Sequence, residues 1–107
     1  MIEARYLRLI VFFDLPTKTK KDKKNYMDFR KLLISNGFFM IQYSVYVRIC
    51  NGQDSIETYS RIISKNIPQR GNVRMLTVTN NQYERMIIFL GTKKNEENIG
   101  EKQLLLF

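Results

Sequence analysis

The chain has 107 residues, 44% of them hydrophobic, with 18 Lys and Arg against 10 Asp and Glu. The net charge of +8 points to a polyanionic partner, nucleic acid first, and the length suits one domain burying roughly 60–70% of its unfolded surface. With no histidine and one cysteine, Cys50, the sequence excludes Ser-His and Cys-His catalysis, an internal disulfide and a cysteine zinc cluster.

Residues 6–13, YLRLIVFF, read as a strand that Pro16 helps to end. The start, MIEARYLRL, lacks the apolar segment of a signal peptide, and no apolar run approaches the ~20 residues of a membrane span. A cytoplasmic protein that engages no membrane is expected. Strand alternation puts Leu7, Leu9, Val11 and Phe13 on a wholly apolar face that belongs in the core. Tyr6, Arg8, Ile10, Phe12 and Asp14 share the other face, which turns to solvent, a cleft or another subunit.

Thr19-x-x-Asp22 then resembles a capping box, and Tyr26, Phe29 and Leu33 recur at helical spacing until Gly37 offers a C-terminal cap. Lys20, Lys21, Lys23, Lys24 and Lys31 occupy the outer side and entry of this helix. Residues 38–49, FFMIQYSVYVRI, form either one long bent strand or two paired ones. Of the two faces, Phe38, Met40, Gln42, Ser44, Tyr46 and Arg48 make the more polar, and it is expected beside Ile10 and Phe12 at a dimer interface. Asp54 or Ser55 caps a second helix with the stripe Ile56, Tyr59, Ile63 and Ile67, stopped by Pro68. Residues 70–79 give a turn and a strand, and 83–91, YERMIIFLG, a further strand. Residues 1–91 are therefore expected as one domain, and 92–107 as a polar connector ending in an apolar LLLF strand that docks on the dimer partner. Two helices on one face of an antiparallel sheet make an α+β sandwich of the ferredoxin-like kind.

Without histidine, hydrolysis would rest on carboxylates, hydroxyls, lysines or a hard cation, with oxygen-ligated magnesium the natural candidate. Asp14 alone among the acidic residues follows directly from a central apolar strand. One carboxylate is a weak magnesium site; two related by a twofold axis are better. The alternative is an aspartate that merely ends a strand. Lys18, Lys20, Lys21, Lys23 and Lys24 suit phosphates without reading sequence, and Arg8, Arg30, Arg48, Arg70 and Arg74 are further candidates. The aromatics Phe12, Phe13, Phe38, Phe39 and Tyr43 are candidates for base stacking, with core packing as the competing role.

FDLPT after the first strand, FRKLLISNGF on the first helix, QYSVYVR on the second strand and GNVRMLTVT at 71–79 together resemble the small CRISPR-associated protein of the Cas-two family, in its type II branch. The resemblance runs from about Tyr6 to Phe89. It implies a ferredoxin-like homodimer that acts in CRISPR adaptation, bridging dimers of the Cas-one integrase and holding double-stranded prespacer DNA. It also implies a magnesium-dependent endonuclease on RNA or DNA, with Asp14 as the catalytic and metal-binding residue. Phe13 stands where many members have tyrosine, and Leu15-Pro16-Thr17 fill the stretch where many have a second aspartate. Arg30 falls in a motif position and joins the lysines as an expected nucleic-acid contact. A toxin-like ribonuclease of the same fold is a third reading.

Overall fold

The computed structural model describes residues 6–91. The elements are β1 (Leu7–Asp14), α1 (Lys20–Ser35), β2 (Phe39–Gln42), β3 (Val45–Cys50), α2 (Gln53–Ser64), β4 (Asn72–Thr79) and α3 (Asn80–Glu84). The four strands form one antiparallel sheet in the order β2-β3-β1-β4. This is the βαββαβ arrangement of a ferredoxin-like fold.

The core fills the space between one sheet face and the two helices. Leu9, Val11 and Phe13 of β1 meet Phe29 and Leu33 of α1, Ile56 and Ile63 of α2, and Tyr46 and Cys50 of β3. Burying such a side chain contributes roughly 1.5–3 kcal/mol each. Phe13 is the aromatic hub: its ring centroid lies 5.1 Å from Phe29, 5.6 Å from Tyr26 and 5.7 Å from Tyr46.

The entry of α1 is fixed by the expected capping box. The Thr19 hydroxyl accepts the Asp22 N–H at 2.9 Å, and the Asp22 carboxylate accepts the Thr19 N–H at 3.2 Å. At the exit, Gly37 takes a φ of +86°, where a side chain would also press on the Arg48 guanidinium. Arg48 donates to the Asn36 carbonyl at 2.7 Å, to the Ile49 carbonyl and to the Tyr59 hydroxyl, and stacks on the Tyr59 ring. It ties the end of α1, β3 and α2 together.

One open alternative closes and three expectations change. Residues 38–49 split into two paired strands, β2 and β3, around the turn Tyr43-Ser44. Their faces are exchanged relative to the sequence reading: Phe38 and Tyr46 lie in the core, while Phe39, Val47 and Ile49 share the open face with Ile10 and Phe12. Both faces of β3 are apolar enough for a core, so its register against β1, which sets Tyr46 opposite Val11, decides the side. No side chain caps α2, whose N-cap is Gly52 rather than Asp54 or Ser55. The strand expected at 83–91 is absent from the described residues. Thr79 and Gln82 form a second capping box that starts the short helix α3, and residues 86–91 join no strand. The expected docking segment at 92–107 lies outside the described residues. No described helix is long and apolar enough to cross a membrane.

Candidate functional site

Alternation along β1 brings Asp14 out on the open face, exposed, at the C-terminal end of the strand. It sits opposite Asn72 of β4, and Arg74 sits opposite Phe12 on the same side. The turn between β2 and β3 closes over this end, because the Phe13 N–H donates to the Ser44 carbonyl at 3.0 Å. The result is an open cleft of about 390 Å³ lined by Phe12, Phe13, Asp14, Tyr43, Ser44, Val45, Asn72 and Arg74.

Two backbone features hold this end in place. Ser44 has a φ of 63°, left-handed and unusual for a residue other than glycine, and the bond from Phe13 keeps it there. Gly71 has a φ of +93°, and a methyl group on it would stand 2.5 Å from the Asp14 carbonyl oxygen. That approach is closer than any contact distance, so only glycine lets β4 begin beside the end of β1.

Among the described residues no ion pair and no side-chain hydrogen bond engages the Asp14 carboxylate. No group of three or more potential metal-ligating side chains is present among them either. The oxygens of Asp14, Ser44 and Asn72 are of the hard kind that magnesium accepts, but one carboxylate does not close a site. The described residues add no further carboxylate there, so they fit the cation only in part.

Lys18, Lys20, Lys21, Lys23 and Lys24 are exposed along the entry of α1, which follows the end of β1. Lys24 is paired with Asp28 at 2.8 Å. Arg30 is half-buried on the same helix. Three of the other arginines have internal duties: Arg8 donates to Asn80 and stacks on Tyr83, Arg48 binds carbonyls, and Arg70 pairs with Asp22. Arg74 is the arginine that the fold brings into the Asp14 cleft.

Asp22, which the sequence reading placed in the capping box, has a side chain that is only 4% exposed. Burial pushes its carboxyl pKa up. The Thr19 N–H, the Arg70 guanidinium, the Thr19 hydroxyl and the Lys18 N–H together outweigh burial and hold it below the ordinary 3.8. The signal in the sequence was the capping box itself. The Arg70 partner comes from the far end of the chain and had no local signal.

Fold and cleft together define a small, basic, ferredoxin-like domain in which a strand-end carboxylate opens on a sheet face that no described residue covers. The sequence model of the family described as CRISPR associated protein Cas2 matches residues 7–86, and the chain belongs to that family. Relatives named CRISPR-associated endoribonuclease Cas2 are similar along nearly the whole chain. The one from Lacticaseibacillus rhamnosus is 46% identical over 101 residues, covering 94% of this chain and 100% of the relative. That from Ligilactobacillus salivarius is 44% identical with the same coverage. That from Campylobacter jejuni is 43% identical over 108 residues, covering 100% of this chain and 76% of the relative.

Proposed function

We propose that the protein serves CRISPR adaptation as a homodimeric scaffold that holds duplex prespacer DNA and bridges dimers of the Cas-one integrase. The observation that carries this reading is the apolar sheet face that no described residue covers. Phe12, Phe39, Ile49 and Leu76 stand exposed on it around the buried pair Ile10 and Val47. Such a face calls for a cover, and a second copy related by a twofold axis supplies the same patch in return. The lysines at the entry of α1 give the dimer phosphate contacts that do not read sequence.

A second reading is a magnesium-dependent endonuclease acting on RNA or DNA. It is favoured by the cleft that gathers Asp14, Ser44, Asn72 and Arg74, and by the printed names of the relatives. A twofold pair of Asp14 carboxylates would hold the cation, which when bound polarises a phosphodiester. Arg74 would offset the charge of the phosphate, and the Asn72 amide would orient it.

Replacing Asp14 by Ala tests both. The scaffold reading expects spacer acquisition close to wild type and the same background cleavage from both proteins in magnesium and in EDTA. Collapse of acquisition, with the dimer and its integrase complex intact, sinks the purely structural role. Cleavage that EDTA abolishes and that falls by about 10²-fold or more in the variant establishes the second reading.

A further inference from the structure

We propose that Tyr43 is a stacking platform for one unpaired nucleotide base, set at the edge of the Asp14 cleft. The inference rests on the reading of that cleft as a place where a phosphodiester sits, and it adds what kind of strand can enter.

Tyr43 is the first residue of the two-residue turn between β2 and β3, and the residue is 73% exposed. Its ring is not loose. One face is stacked on Tyr26, with centroids 6.1 Å apart and planes at 21°. Tyr26 in turn packs on Phe13 in the core and lies within 3.4 Å of the Ser44 hydroxyl. The left-handed Ser44, pinned by the Phe13 N–H, fixes the turn that presents the ring. A residue held in a costly backbone conformation beside a cleft is a reason to look for what it orients. Here it orients an aromatic plane whose second face is open.

That plane lines the same cleft as Arg74 and Asn72. The cleft, about 390 Å³, is in the size range of a nucleotide-sized ligand. One end offers a cation and an amide to a phosphate, and the other offers a rigid ring to a base. Hydrogen bonding to Tyr26 and the proximity of its phenol raise the Tyr43 pKa above the ordinary 10.0. A phenol at or above 10.0 is neutral at working pH, with or without this shift, and does not repel a phosphate.

The geometry selects strandedness. Inside a duplex each base face is covered by its neighbours, so Tyr43 has nothing to stack on. An unpaired base, or one splayed from a duplex end, has a free face. Duplex DNA held along the lysines of α1 can thus reach the cleft only where its strands part.

The test uses the full chain, in EDTA so that no strand is cut. Binding is measured to a single-stranded RNA, a single-stranded DNA of the same sequence and a closed hairpin duplex, each carrying one 2-aminopurine. Wild type is expected to quench the probe in the single strands and not within the hairpin stem. Tyr43→Phe should keep single-strand affinity, and Tyr43→Ala should lose it by about 5- to 150-fold, the range for one lost base stack. Hairpin affinity should stay unchanged in both variants. A loss confined to RNA also supports the platform and assigns the cleft to ribonucleotides. If wild type binds single strands and Tyr43→Ala binds them as well, the platform is wrong while the cleft reading stands. Equal losses for single strands and hairpin also overturn it. If wild type binds no single strand at all, both the platform and the cleft reading fall.

Discussion

Asp14 and Asp22 flank the turn between β1 and α1, yet they live in opposite settings. Asp14 is exposed, whereas Asp22 is buried, caps α1 and pairs with Arg70 at 3.2 Å. The folded pKa of Asp22 lies below its ordinary value of 3.8. A carboxylate depressed in this way stabilises the fold above the unfolded pKa, and the contribution is lost as pH falls through the folded one. The melting temperature of wild type should therefore exceed that of Asp22→Asn at neutral pH, with the gap closing below about pH 4. Melts across the acid range check this, and a gap independent of pH would show that the pair contributes no linked stability.

The helices were the most legible elements. The stripe of Phe29 and Leu33, the Thr19 box and the Gly37 exit read directly from spacing, and all three hold in the structure. Asp14 was equally legible, because alternation on β1 needs no tertiary information. Two things were not. The side taken by β3 depends on its pairing with β1, and an apolar open face hides that choice from any reading based on hydrophobicity. The helix α3 competes with a strong β-forming run, and the capping pair Thr79 and Gln82 decides it locally. The cleft partners Asn72 and Arg74 come from β4, so only the register with β1 brings them to Asp14. At this scale α1 makes its own prediction. Changing Lys20, Lys21, Lys23 and Lys24 to Glu should weaken duplex binding and flatten its salt dependence, each lost phosphate contact lowering the log–log slope by about 0.9. Lys24, already paired with Asp28, should contribute least. An unchanged slope in an anisotropy titration would place the DNA elsewhere.

For the whole molecule, the two faces of the sheet divide the labour. One is sealed by α1 and α2, and the other is left apolar with the Asp14 cleft at its corner. The proposed dimer makes the second face a buried one. Leu76→Asp puts a charge at a residue that is 51% exposed, beside Ile10. The single chain should tolerate it, whereas a dimer would have to bury an unpaired carboxylate, at a cost of several kcal/mol. Analytical ultracentrifugation should show wild type at twice the mass of the variant, with helical content unchanged. Two species of equal mass would mean that this face is not the one that pairs.

Gly71 has an evolutionary consequence. The obstacle to any larger residue there is the backbone carbonyl of Asp14, not its carboxylate. A descendant that had given up all chemistry would still need the glycine to start β4 beside β1, whereas its residue 14, exposed and without packing duty, would be free to drift. Across a lineage, retention of the glycine reports only that the fold survives. The record of whether the chemistry survives is written at position 14 and at the exposed cleft positions around it, Tyr43, Asn72 and Arg74.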